Sequence, residues 1–263
     1  PARAGALTPP GIPTWIDLPG CLMAEAQLRG DDHHAVYRDI LMGALARGDA
    51  FSVCSGPQGH ALLGQLGLVG RLTGAAQGWE GVHVIPPGID PTWLGPRRVV
   101  GTDGPEEAHP LLALPPEQKL IVHIGSLNTW SDVDALGEAV ERVLSREPST
   151  HFASLGGPVG GHDHAPAEAL WERLARSDGR DRCWNVGWVS QALLLRILDR
   201  ASVGITLDKP SVEATLGART RLGIGLARGL VWVLTPLGEG SRALVEKGLA
   251  FEVAPGDGLA AGG

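Results

Sequence analysis

The sequence predicts an α/β protein with a complete, doubly wound parallel sheet in its C-terminal part and an incomplete sheet of the same kind before it. Two observations predict this. From Lys119 onward, short apolar runs alternate regularly with helical patterns, and strand–helix alternation at that spacing builds a parallel sheet with crossover helices. Before Lys119 the alternation lasts for about half a domain and then gives way to a proline-rich stretch.

In the second part, Leu120–Ile124, His151–Leu155, Cys183–Val186, Val203–Leu207, Leu230–Leu234 and Ala250–Val253 read as buried strands, because each is a short apolar run bounded by turn residues. Helical patterns lie between them at Asp132–Ser145, Pro166–Arg176, Gln191–Arg200, Gly217–Arg228 and Glu239–Lys247. Ser131 and Ser190 stand where N-caps of the first and third of these belong. In the first part, strands are expected at Trp15–Leu18, Ala50–Ser55 and Val82–Ile85. A helix over Met23–Ala46 is broken near Gly30, and another covers Pro57–Leu72. Pro86–Pro116 holds eight prolines among glycines and acids and reads as a linker. The resulting division is a partial N-terminal Rossmann-like domain over 1–95, a linker over 96–117 and a C-terminal Rossmann-like domain over 118–263. The chain starts without Met and ends in APGDGLAAGG with no closing element, so both ends are expected to be ends of a fragment.

Composition narrows the function classes. The 263 residues are 43% hydrophobic, enough for a packed core. The net charge is −7 with no long basic run, whereas a nucleic-acid surface needs clustered Lys and Arg. Three cysteines, Cys21, Cys54 and Cys183, are widely spaced without a CxxC. They read as buried thiols in a reducing compartment, which points to the cytoplasm. No run approaches 18 apolar residues, so no transmembrane span is expected.

The most informative stretch is Val203–Thr235, VGITLDKPSVEATLGARTRLGIGLARGLVWVLT. In an open parallel sheet, ligands bind in the crevice outside the carboxyl ends of the strands. Glu213 lies just past such an end, on a turn before a helix, where its carboxylate can accept hydrogen bonds from sugar hydroxyls or steady a developing positive charge. The alternative is a solvated turn acid. Arg219 and Arg221 fall in the first turns of the next helix, where a guanidinium fork and free N–H groups suit a phosphate. Spaced by two, they do not share one helix face, so at most one points squarely at a ligand.

Gly125 and Ser126 follow the first strand of the second part, and a small-residue loop there lets backbone amides approach a phosphate. Neither GxxxxGK[ST] nor GxGxxG is present. Gly187, Trp188 and Val189 end the third strand and can frame a base; the alternative is a Trp packed under the sheet edge. Gly156–Gly161 leads into His162–Asp163–His164, which lacks a fourth ligand and reads as a solvent loop rather than a metal site. Asp132–Val133–Asp134 has the DxD spacing of some metal-dependent sugar transferases. At a helix start it reads as acids complementing the dipole. Ser55 lacks the G-x-S-x-G of a nucleophile elbow.

Taken together, DAFSVCSGPQGHALLGQLGLVGRL (49–72), GVHVIPPGID (81–90), WNVGWVS (184–190) and the E-x5-RTRL with a following ARGL (213–230) resemble the family 4-type glycosyltransferases of the GT-B fold. The last of these is the most specific and resembles a bacterial subgroup acting on cell-surface glycans. The resemblance covers the chain from about Thr14. It implies metal-independent transfer of a sugar, without any cofactor, from a nucleoside diphosphate sugar to an acceptor hydroxyl, with retention at the anomeric carbon. The acceptor is expected to be a glycan or a lipid-linked glycan, which leaves peripheral membrane contact open. Glu213 matches the acid that contacts the donor sugar and is the catalytic candidate. Gly125 and Ser126 match the diphosphate-facing loop; Gly187, Trp188 and Val189 match the base-facing loop; and Arg219 and Arg221 are left to neutralise phosphate.

Three departures accompany the resemblance. Ile224 stands where relatives carry a second acid for the ribose hydroxyls, Val231 stands where a Pro follows the Gly-Leu, and the basic pair is missing from 125–133. The N-terminal half also lacks its opening strands, about a hundred residues on the scale of a Rossmann half. The rival expectation is therefore a degenerate, non-catalytic GT-B domain that binds sugar or nucleotide. A nucleotide-sugar epimerase would need an acid–base set that the sequence does not offer.

Overall fold

A computed structural model describes residues 3–4, 7–30, 33–94, 109–160 and 163–262. The chain forms two compact units: Pro1–Pro87 with Pro210–Ala218 and Leu237–Gly240, and Gly88–Lys209 with Arg219–Pro236 and Ser241–Gly263.

In the first unit, β1 (Trp15–Leu18), α1 (Leu22–Arg29), α2 (His34–Arg47), β2 (Ala50–Val53), α3 (Gly56–Leu68) and β3 (Val82–Val84) build a three-stranded parallel sheet in the order β1-β2-β3. The expected break near Gly30 is a left-handed C-cap (φ 64°) that donates its N–H to the Ala26 and Gln27 carbonyls. Only glycine adopts that conformation without strain. The helix expected over Pro57–Leu72 ends earlier, at Leu68, because Gly70 takes φ 76° and turns the chain away. Ile16, Leu18, Leu45, Phe51, Val53 and Leu66 form the core of this unit.

The second unit begins its sheet with β4 (Lys119–Ile124), α4 (Val133–Arg146), β5 (Thr150–Leu155), α5 (Ala165–Ala175), β6 (Cys183–Gly187), α6 (Gln191–Arg200) and β7 (Val203–Thr206). The chain then contributes α7 (Val212–Leu216), which packs on α1 and α3 in the first unit, before returning with α8 (Thr220–Ala227) and β8 (Val231–Leu234). It continues with α9 (Glu239–Glu246), β9 (Ala250–Glu252) and α10 (Gly258–Ala261). All six strands are parallel, in the order β6-β5-β4-β7-β8-β9. This is the doubly wound order of a dinucleotide-binding sheet, with its switch point between β4 and β7. Leu120, Val122, Ala153, Leu198 and Trp232 are among the buried side chains on one side, and Leu136, Val140, Phe152, Leu174 and Ile205 among those on the other.

Trp232 is fully buried on β8 and fits because two neighbours lack side chains. A Cβ on Gly204 of β7 would lie 2.7 Å from its ring, and one on Gly225 of α8 would collide with it. A core packed like a crystal has no slack for either.

The structure corrects four local expectations. The N-cap of α4 is Asp132, whose carboxylate accepts from the Ala135 N–H at 3.1 Å, because the helix begins one residue later than Ser131 as cap requires. Ser131 instead pairs in a bridge with Asp208. The helical pattern at Gly217–Arg228 is helix only over Thr220–Ala227, and the separate short helix α7 precedes it, so that Glu213 sits inside a helix rather than on a turn. At the other end, residues 258–261 do form an element: Asp257 caps α10, which packs on α4. Finally, the end of the expected linker is part of a core, since Leu111 within Pro110–Ala113 is fully buried in the second unit, whereas 95–108 lie outside the described residues. Ser190 caps α6 as expected, accepting from Leu193 N–H at 3.2 Å.

Candidate functional site

The carboxyl ends of β4, β5 and β6 each finish in a glycine with positive φ: Gly125 at 96°, Gly156 at 142° and Gly187 at 74°. The three turns are laced together by the backbone. Gly125 N–H donates to the Leu155 carbonyl at 2.7 Å, and Gly156 N–H donates to the Gly187 carbonyl at 2.8 Å. A Cβ on Gly156 would lie 2.5 Å from the Gly125 carbonyl oxygen, so that contact demands glycine. The result is a row of strand ends built from glycine backbone, beside the switch point where such sheets bind ligands.

Arg221, in the first turn of α8, projects over this stretch. A Cβ on Gly125 would be 3.5–3.6 Å from three atoms of its guanidinium. Beneath it, Arg221 Nη1 lies 3.0 Å from His123 Nε2. A guanidinium only donates, so Nε2 is the acceptor and the imidazole proton sits on Nδ1, which faces Ser154 Oγ at 3.4 Å. His123 is 1% exposed on β4. Burial first, and the Arg221 charge second, hold its pKa well below the ordinary value of 6.5, so the ring is neutral.

Arg219 is placed differently. Its Nε bonds Asp208 Oδ2 at 2.7 Å in a largely buried ion pair, and its guanidinium carbon lies 5.6 Å from the centre of the Trp130 ring. The loop after β7 is itself pinned. Asp208 N–H donates to Thr235 Oγ1 at 2.8 Å, Lys209 N–H to the Trp130 carbonyl, and Asp132 N–H to the Leu207 carbonyl. These contacts tie the ends of β4, β7 and β8 together.

Trp188 follows Gly187 and is 63% exposed, its indole N–H donating to the Pro158 carbonyl at 3.1 Å. Val189 turns inward onto the core. Ser126 is half-buried beside Gly125. Glu213 belongs to the first unit, where it is 7% exposed in the first turn of α7, a helix capped by Ser211. The structure therefore gathers Gly125, Ser126 and Arg221 at one strand end, and Gly187, Trp188 and Val189 at another.

Other sequence candidates resolve into local structure. Ser55 caps α3, accepting from Gln58 N–H at 3.1 Å while its hydroxyl donates to the Leu216 carbonyl at 2.5 Å. Asp163 accepts from Ala165 N–H at the start of α5, and His164 Nε2 bonds the Val159 carbonyl, whereas Gly161 and His162 lie outside the described residues. Ile224, at the position of the second acid, packs against the core around Trp232.

Sequence reasoning missed His123 and Asp208. The signal for His123 was available: it is the one ionisable residue inside Leu120–Ile124, a run that otherwise reads as doubly covered strand.

Comparison with solved structures decides what this architecture is. The chain matches a UDP-forming alpha,alpha-trehalose-phosphate synthase from Burkholderia vietnamiensis with a TM-score of 0.68 at 17% identity, over 95% of this chain and 57% of that one. It has the GT-B fold. Other GT-B structures agree: HepE from Anabaena in complex with UDP and glucose gives a TM-score of 0.64 at 15% identity, over 94% of this chain and 59% of that one. WaaG, a glycosyltransferase involved in lipopolysaccharide biosynthesis, gives 0.62 at 15% identity, over 96% and 64%. The chain thus spans little more than half the length of the trehalose-phosphate synthases it matches, 56% and 57%. The GT-B part present is a three-stranded portion of one sheet and a six-stranded parallel sheet. No protein-family model and no curated protein matches the sequence.

Proposed function

We propose that this chain is the donor-binding part of a glycosyltransferase that moves a sugar from a nucleoside diphosphate sugar to an acceptor hydroxyl. One observation carries the reading: the Arg221 guanidinium is held over the Gly125 turn, beside the switch point of a GT-B sheet. There the diphosphate meets backbone and one guanidinium fork, with the partial positive charge at the start of α8 behind it. Arg221 takes the charge-neutralising role that a metal serves elsewhere, and Arg219, bound to Asp208, shapes the loop instead of touching phosphate. Gly187, Trp188 and Val189 face the base, and Ser126 the diphosphate. Glu213 contacts the donor sugar and acts as the catalytic carboxylate in a retaining transfer.

HepE was solved with UDP and glucose, which makes uridine diphosphate sugars the first donors to try. The WaaG likeness supports a glycan or lipid-linked acceptor at the bacterial cell surface. We place the reaction in the cytoplasm, in keeping with three free cysteines. Among the described residues no helix is long and apolar enough to cross a membrane.

Titration calorimetry with UDP, GDP, ADP and dTDP at millimolar concentration tests the reading. Binding of one of them, weakened about thirtyfold by Arg221→Ala as the loss of charge-assisted phosphate bonds predicts, supports it. No binding of any of the four sinks it. The packed, apolar Ile224 favours a second reading, a GT-B domain that binds donor without turning it over. Donor hydrolysis or transfer that is equal in wild type and Glu213→Ala removes Glu213 from the chemistry and leaves that reading standing.

A further inference from the structure

We infer that His123 is a positioning residue for the anion site: its neutral imidazole, oriented by Ser154, fixes the Arg221 guanidinium over the Gly125 turn. The inference rests on the donor-binding reading above but concerns a residue that reading does not need. Three observations carry it.

The first is placement. His123 sits two residues before Gly125 on β4, is 1% exposed, and its Nε2 is 3.0 Å from Arg221 Nη1. A buried polar ring inside a strand of Leu, Ile and Val costs desolvation unless its nitrogens are paired. Both nitrogens here have partners in reach, Arg221 on one side and Ser154 on the other. The second is direction. Because Arg221 can only donate, the pair forces one tautomer, and Ser154 Oγ stands where the Nδ1 proton needs an acceptor. Ser154 is itself 3% exposed on β5, held in register opposite His123 by the sheet.

The third is what the bond does to Arg221. A long side chain loses rotamer freedom when it binds, and a guanidinium already held in place loses less. The strand supplies this hold without adding charge. An acid at position 123 would add a negative charge beside an incoming phosphate, whereas a neutral acceptor orients the fork without one.

The test is UDP binding by calorimetry to the 263-residue chain, in wild type, Arg221→Ala, His123→Phe, His123→Gln, Ser154→Ala and the His123→Phe/Arg221→Ala double variant. His123→Phe keeps the ring volume and removes the acceptor, and should weaken UDP binding about tenfold, the scale of one hydrogen bond to a charged group. His123→Gln returns an acceptor oxygen near the Nε2 position and should restore binding to within about threefold of wild type. The double variant should bind no worse than Arg221→Ala alone, because a residue acting only through Arg221 has nothing left to act on. A merely structural role would weaken binding in both backgrounds. Arg221→Ala with an effect and His123→Phe without one overturns this inference alone; Arg221→Ala without an effect overturns the donor-site reading as well. If His123→Phe does not fold, Ser154→Ala decides: binding about threefold weaker at an unchanged melting temperature supports the role, and unchanged binding overturns it.

Discussion

The two halves of the six-stranded sheet end differently. On the β4–β6 side the strands run out into glycines with positive φ, and the turns are joined backbone to backbone. On the β7–β8 side they run out into Asp208 and Thr235, and the turns are joined through side chains and a buried ion pair with Arg219. The difference separates two jobs. Glycine ends put no Cβ on the turn backbone, a feature of anion-binding turns, while the side-chain-laced ends hold Arg219 at the start of α8. Arg219 and Arg221, two residues apart, are divided between them: Arg219 belongs to the rigid half and Arg221 is directed at the open one.

Breaking the rigid half should have the largest effect. Asp208→Ala removes the carboxylate that the largely buried Arg219 Nε bonds, and loss of one partner of such a pair costs on the order of 3–5 kcal/mol. Urea denaturation should show that loss, while Asp208→Leu with Arg219→Met recovers a good part of it. A loss under 1 kcal/mol would mean that the pair is not what stiffens this half. On the open half, Gly156→Ala forces a Cβ to 2.5 Å from the Gly125 carbonyl at φ 142°. Strain and overpacking together should cost about 3 kcal/mol, with loss of nucleotide binding because Gly125 must move. Gly160, with open space around its Cα, is the control: Gly160→Ala should be silent within about 0.5 kcal/mol.

The same contrast explains what the sequence revealed. The sheet was legible almost to the residue, because doubly covered parallel strands are apolar runs and their glycine ends punctuate them; β4 through β9 lie within one or two residues of the expected runs. Legibility failed where side chains rather than backbone set the structure. Asp208 reads as a turn acid, and nothing in one sequence says that Arg219, eleven positions later, comes back to it. Ser131 and Asp132 both suit a helix start, and the bridge of Ser131 to Asp208, in the loop after β7, decided between them. The helix α7 was hidden because its five residues are too short a run to show a helical period, and Gly217 and Arg219 fit the apolar spacing of α8 although the helix begins only at Thr220. For the candidate site, the positions of the turns after β4 and β6 were legible and the arrangement of side chains around them was not. The spacing of Arg219 and Arg221 implied that they diverge, but only the positions of Asp208 and His123 say which one faces the glycines.

A smaller effect comes from pH. His123 is buried and neutral with its pKa well below 6.5, and burial and the charges of Arg182 and Arg200 also lower that of the buried His151. For a histidine depressed in the folded state, the unfolded chain binds more protons below its ordinary pKa. Stability is therefore flat above about pH 6.5 and falls as the pH drops below it toward the folded value. Thermal melts between pH 7.5 and 5 should show this decline, and His123→Gln should remove part of it. A slope identical in the variant would place the titration elsewhere.

The smallest effect on stability should come from Trp188, which separates ligand contact from architecture on the open half. The ring is 63% exposed and makes one hydrogen bond, to the Pro158 carbonyl. An exposed side chain of this kind contributes little to folding, so Trp188→Ala should move the unfolding free energy by no more than about 0.5 kcal/mol. If the indole faces the base of a bound nucleotide, its loss should weaken UDP binding by on the order of tenfold, since an aromatic stack is worth about 1–3 kcal/mol per base. Pyrophosphate, which has no base, should bind the variant and wild type alike. An equal loss for UDP and pyrophosphate would mean that Trp188 merely shapes the Gly156–Gly187 turns. A loss confined to UDP would locate base recognition at the end of β6 and diphosphate recognition at the end of β4, on the half of the sheet whose strands end in glycine.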